Sequence, residues 1–275
     1  MRLGLSIDGG GTIETAAELG ITGVPINAAD LVEQGVDATL APLREKGLSV
    51  CQIGAFGVNP LSDDAEGQAA QQDMLRAAIP LAAETGCPYI VINGGNHHPS
   101  GFGHWDARNW SDAAFDRIVE VLDPLVSLAA DHGAKISIEP YLKTTINSPE
   151  TFARVRDRLS KPDAMVANID VTSLYDFRDY IAPAERCRAV CEGFAGAYGL
   201  GHIKDIVVNE GFHLNMGMAP LGTSPTDWAE VLRMMAPHLP DDSWLILEHQ
   251  ADPDAARLGV EKLRGYAREA GVTLT

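Results

Sequence analysis

A short apolar run followed by a helical stretch recurs eight times along the 275 residues. That alternation restricts the chain to a parallel sheet covered by helices. The strand-like runs are residues 3–7, 21–26, 48–53, 89–93, 135–139, 165–170, 199–202 and 244–248. Helices are expected over 12–19, 31–46, 64–85 and 183–198, and after the starts at Ser111, Ser148-Pro149, Ser224-Pro225-Thr226-Asp227 and Asp252-Pro253. Those starts place an oxygen-bearing side chain where the first free N–H groups of a helix need an acceptor. Gly47 and Gly86 stand where a helix ends in left-handed backbone. Because composition does not shift along the chain, we expect one α/β domain over residues 1–275, a closed (β/α)8 TIM barrel, since such barrels often span about 250 residues. An open doubly wound sheet fits less well, because polar residues are spread evenly over the strand ends.

The formal charge of −17 argues against nucleic acid, whose partners carry basic surfaces. No run reaches the roughly 18 apolar residues of a membrane span, and residues 1–8 read as a first strand rather than a signal peptide. The four cysteines, Cys51, Cys87, Cys187 and Cys191, lack zinc-finger or disulfide-framework spacing, which points to a reducing, cytoplasmic home. Cys187 and Cys191, four apart in a helical stretch, are expected to be small buried thiols rather than a metal or redox pair. Gly9-Gly10-Gly11 lacks the GK[ST] ending of a phosphate loop and reads as a backbone turn.

Four successive runs in the second half share one property: they end in Glu139, Asp170, His202 and Glu248. Taken singly, each is an ordinary rim residue. In a closed parallel barrel, however, the C-terminal strand ends form one rim. Carboxylates and an imidazole gathered there repel and desolvate one another unless a cation joins them. Three oxygen-type ligands and one nitrogen suit a single divalent ion, with Mn²⁺ preferred and Mg²⁺, Co²⁺ or Zn²⁺ also admitted. Such an ion stabilises an enediolate, and Glu139 and Glu248 are the candidate acid/base pair that moves the proton beside a carbonyl. Two bases on opposite faces give epimerisation, whereas transfer between adjacent carbons gives isomerisation. Residues 94–110 and 204–223 form long connections whose length suggests use. They supply the candidate substrate contacts His97, His98, Trp105 and His213. Lys204 either steadies a developing oxyanion or pairs with Asp205.

Ile138-Glu139-Pro140, Asn168-Ile169-Asp170, Gly201-His202-Ile203-Lys204-Asp205, Pro220-Leu221-Gly222 with Asp227-Trp228, and Leu247-Glu248-His249 resemble the sugar phosphate isomerase/epimerase family with the xylose-isomerase-like barrel. The resemblance implies one divalent metal on Glu139, Asp170, His202 and Glu248, with both glutamates as acid and base. Two positions depart from the ketose 3-epimerases of that family. Ser173 stands where they carry His, and Val208 where they carry Arg. No basic cluster accompanies the strands, so a non-phosphorylated sugar or keto sugar is the expected substrate. The rival reaction is elimination of the aglycone from a 3-keto-glycoside after the same enolisation. A repair endonuclease would need more strand-end histidines and a basic groove. A binding module without chemistry would have no use for both glutamates. The expected partner is a small sugar, without nucleic acid or membrane, in a possible homo-oligomer.

Overall fold

The computed structural model describes residues 1–101, 103–209 and 211–275. Ten strands are described: β1 (Arg2–Ile7), β2 (Gly23–Asn27), β3 (Ser49–Gly54), β4 (Tyr89–Asn93), β5 (Lys135–Glu139), β6 (Met165–Ile169), β7 (Tyr198–Ile203), β8 (Asp205–Asn209), β9 (Asn215–Ala219) and β10 (Trp244–Gln250). Eight of them close into a barrel in the order β1-β10-β7-β6-β5-β4-β3-β2, and β8 and β9 form a separate two-stranded sheet. The helices are α1 (Thr12–Leu19), α2 (Ala28–Gln34), α3 (Val36–Glu45), α4 (Ala65–Thr85), α5 (Asp112–Asp131), α6 (Pro149–Arg156), α7 (Phe177–Ile181), α8 (Pro183–Gly193), α9 (Trp228–Met235) and α10 (Pro253–Ala270).

Backbone contacts sort these elements into two units. The first unit comprises Met1–Val24, Leu43–Cys51 and Ile169–Thr275. Here β1 runs parallel to β10, with Arg2 opposite Trp244 and Leu5 opposite Leu247, and β10 continues onto β7 with Ile246 opposite His202. Trp244 is buried, with the Arg2 guanidinium 3.7 Å from its ring centre and Gly23 against the indole. A Cβ on Gly23 would lie 2.5 Å from the indole, and one on Gly4 would lie 3.0 Å from Ile246 and from Cys51 Sγ. Gly23 thus makes room for the Trp244 indole, and Gly4 for Ile246 and Cys51. The second unit comprises Pro25–Pro42 and Gln52–Asn168. It pairs β4 with β5 from Tyr89–Lys135 to Asn93–Glu139, and β5 with β6 from Ile136–Met165 to Ile138–Ala167. The apolar stripe of α5, including Phe115, Ile118, Leu122, Leu125 and Val126, is buried, as helical spacing requires.

The helix starts follow the sequence closely. Ser111 accepts from Ala114 N, Ser148 forms a capping box with Thr151, Asp227 accepts from Glu230 N, and Asp252 accepts from Ala255 N. Three expectations need correction. The helix expected over 31–46 is two helices, α2 and α3, because Gly35 (φ 79°, ψ 165°) leaves helical backbone and its N–H closes on Leu31 O. The helix expected over 183–198 stops at Gly193, and Gly196 (φ 79°) turns the chain into β7, which already begins at Tyr198. The connection expected over 204–223 holds the antiparallel pair β8–β9, with Asp205 opposite Ala219 and Asn209 opposite Asn215. Ile206-Val207-Val208 is the β-branched run that drives this pairing.

All four cysteines are buried. Burial pushes the Cys187 thiol up to about 11 and the Cys191 thiol up to about 12, so neither is a ready thiolate. Both should resist iodoacetamide at pH 8 in the folded protein and react once it is unfolded. Rapid alkylation of either in the native state would contradict their burial. No helix among the described residues is long and apolar enough to cross a membrane.

Candidate metal centre

The four strand-end residues stand where parallel strands run out. Glu139 closes β5, Asp170 follows β6 directly, His202 lies next to the last residue of β7, and Glu248 lies two short of the end of β10. All four are buried, between 1% and 7% exposed. Glu139, His202 and Glu248 each offer one ligand atom, and these atoms lie within 4.8 Å of one another. Asp170 is outside that trio and is turned instead to Lys204.

Glu248 owes its place to a bulge. Leu5 pairs with Leu247 and Ile7 with Gln250, so β10 carries one residue more than β1 in this stretch. Leu247 and Gln250 therefore both approach Gly259 on α10, at 3.1 Å and 2.7 Å from where its Cβ would stand. Glu248 and His249 absorb the extra residue, and His249 takes φ 52°, a left-handed conformation that costs a non-glycine residue about 1 kcal/mol or more. The His249 ring lies 3.1 Å from Asp8 Oδ2, and the Gln250 amide donates to the Glu248 carbonyl at 2.8 Å.

The carboxylate of Glu248 meets an imidazole and an ammonium group. Oε2 is 2.8 Å from His202 Nδ1, and Oε1 accepts from Lys204 Nζ at 2.7 Å. Burial opposes ionisation of Glu248, but the neighbouring His202 and Lys204 outweigh it and hold its carboxyl below the usual carboxylate range. Lys204 also reaches Asp170 Oδ2 at 2.6 Å. The rest of Asp170 is committed to its own turn: Oδ1 accepts from Thr172 N, Thr172 Oγ1 and Ser173 N, and Oδ2 accepts from Ser173 Oγ at 2.9 Å. Ser173, the departure from the ketose 3-epimerase pattern, thus grips an acid of this same chain.

Asp205 does what the sequence did not suggest. It is 1% exposed, and its Oδ2 accepts from Gly222 N, Thr223 N, Ser224 N and Trp228 Nε1 while Oδ1 accepts from Ile206 N. It ties residues 222–228 to the start of β8, immediately after Lys204. The pairing of Asp8 with His249 depends on β1 lying beside β10 and leaves no local signal in the sequence.

The other candidates are placed as follows. His213 is exposed beyond β8, with its ring edge-on to Phe212 at 5.0 Å. In the second unit, His97 Nδ1 lies 3.5 Å from Asp63 Oδ1, and His98 stacks on His104 at 4.6 Å. Trp105 is 53% exposed, 5.9 Å from Trp110, with Lys143 Nζ 5.7 Å from its ring centre. Buried Asn96 and Asn109 hold this stretch by bonds to His104 O, Lys143 O and His97 N.

The donor set tests well for a divalent cation. Carboxylate oxygens and one imidazole nitrogen, buried and mutually close, are ligands that Mg²⁺, Mn²⁺ and Zn²⁺ accept. Two buried carboxyl groups, Asp170 and Glu248, share one lysine, so a further positive charge suits them.

A comparison with curated proteins finds no significant match. Several solved structures share the fold. The 3-keto-D-glucoside 4-epimerase YcjR from E. coli is 17% identical with a TM-score of 0.68, over 96% of this chain and 99% of that one. The probable 3-DHS dehydratase AsbF from Bacillus anthracis is 16% identical with a TM-score of 0.72, over 96% and 99%. A xylose isomerase-like TIM barrel protein from Mycobacterium smegmatis, solved with magnesium, is 18% identical with a TM-score of 0.70, over 98% and 96%. A family model described as xylose isomerase-like TIM barrel matches residues 13–268, and the chain belongs to that family.

Proposed function

We propose that the protein is a divalent-metal-dependent sugar isomerase or epimerase acting on a non-phosphorylated sugar or keto sugar. The observation that carries this reading is the convergence of ligand atoms from Glu139, His202 and Glu248 within 4.8 Å. Asp170 is proposed as the fourth ligand, and Mn²⁺ is the preferred ion. When bound, the cation supplies Lewis-acid stabilisation to neighbouring oxygens of a hydroxy-carbonyl substrate. Glu139 and Glu248 take and return the proton on the carbon beside the carbonyl. Lys204, 2.7 Å from Glu248, places a positive charge where negative charge develops on the substrate. His97, His98, Trp105 and His213 are proposed to contact the sugar. We place the protein in the reducing cytoplasm, which suits its four buried cysteines.

Elimination of the aglycone from a 3-keto-glycoside is the second reading. It is favoured by Ser173, which bonds Asp170 at 2.9 Å where ketose 3-epimerases carry histidine. The probable dehydratase among the structures that share the fold is in keeping with it.

Incubation with ketoses and keto-glycosides in heavy water tests both readings. Deuterium should enter a carbon beside the carbonyl, and chelation should stop it. Release of a second molecule marks elimination, and its absence marks isomerisation. No metal-dependent exchange across a broad panel would contradict both.

A further inference from the structure

We propose that Lys204 and the divalent cation are alternative partners of Asp170, so that loading the metal displaces the lysine. This rests on the metal reading above. Thr172, Ser173 and Lys204 supply five contacts to Asp170, three to Oδ1 and two to Oδ2, and because each carboxylate oxygen offers about two lone-pair directions, neither oxygen has acceptor capacity left over. Four of these contacts come from the turn that follows Asp170, and breaking them would undo the turn at Thr172–Leu174. The fifth is a flexible side chain that reaches Oδ2 from across the site, at 2.6 Å. For Asp170 to ligate a cation, Lys204 is the contact that gives way. Glu248 is drawn into the same exchange, because its Oε1 holds the same ammonium at 2.7 Å.

The tethered ammonium is then a stand-in for part of the metal's charge, holding two buried carboxylates in ligand positions. Once displaced, it stays on its backbone anchor, fixed by the Asp205 knot that follows Lys204 directly. The released head group is left beside the substrate oxygens, where a cation on a side chain can grip a sugar hydroxyl.

Calorimetric titration with Mn²⁺ of the protein and of Lys204→Met, together with acetylation of Lys204 read by mass spectrometry, tests the exchange. The variant should bind Mn²⁺ at least about tenfold more tightly, since nothing has to be displaced, or about 1.4 kcal/mol. In the unmodified protein, acetylation at Lys204 should accelerate severalfold when Mn²⁺ is added. Equal or weaker Mn²⁺ affinity in Lys204→Met overturns the proposal, and so does acetylation that fails to rise with Mn²⁺. The labelling measurement needs no variant, so it decides the matter even if Lys204→Met does not fold. Mn²⁺ bound by neither protein removes the metal reading itself, whereas Mn²⁺ bound equally by both removes only the exchange.

Discussion

Glu248→Gln should lower turnover by about 10²–10⁴-fold, the range that removal of a positioned acid/base group produces, with the fold retained. Glutamine keeps the size of the side chain and one oxygen, but its amide can neither take up the proton nor carry the charge that His202 and Lys204 meet at 2.8 Å and 2.7 Å. Glu139→Gln should act alike. The checks are metal-dependent deuterium incorporation for turnover and circular dichroism for the fold. Wild-type exchange in either variant would remove the acid/base assignment. Acid should matter too. The folded carboxyl of Glu248 titrates below its ordinary range, so its ion pairs favour the fold above about pH 4 and lose that contribution as pH falls further.

Asp205→Ala should destabilise the protein by about 3–5 kcal/mol, the range for removing one partner of a buried charge-assisted network. The alanine would deprive four backbone N–H groups and the Trp228 indole N–H of their acceptor, those of Ile206, Ser224 and Trp228 in buried surroundings, and each buried unsatisfied donor costs about 1–3 kcal/mol. Some donors will find water as the 222–224 backbone relaxes, which keeps the total below the sum. Asp205→Asn retains an acceptor oxygen and should lose distinctly less. Chemical denaturation of both variants measures this. An alanine variant as stable as the parent would mean that the knot does not hold residues 222–228 to β8.

What the sequence made legible was local. Ser148-Pro149 announces α6 because the cap, the proline and Thr151 act within one turn, and Asp252-Pro253 announces α10 in the same way. The strand ends at 139, 170, 202 and 248 were visible because alternating strands and helices fix which end of a parallel strand faces the rim. The bulge at His249 was not visible, since nothing within β10 reveals that β1 will pair Leu5 with Leu247 and Ile7 with Gln250. Asp205 looked like a partner for its neighbour Lys204. Apart from Ile206 N, its donors come from 17 to 23 residues downstream, and Lys204 turns to Asp170, 34 residues upstream, and to Glu248, 44 residues downstream. The hairpin β8–β9 failed for another reason: Ile206-Val207-Val208 is a fair strand signal, but Asn215–Ala219 has no β-branched residue to answer it.

Anomalous diffraction from crystals grown with Mn²⁺ tests the central claim most directly. One peak should appear within about 2.0–2.6 Å of oxygens of Glu139, Asp170 and Glu248 and of a His202 nitrogen. A peak elsewhere, or one that any of these four side chains faces away from, would contradict the account.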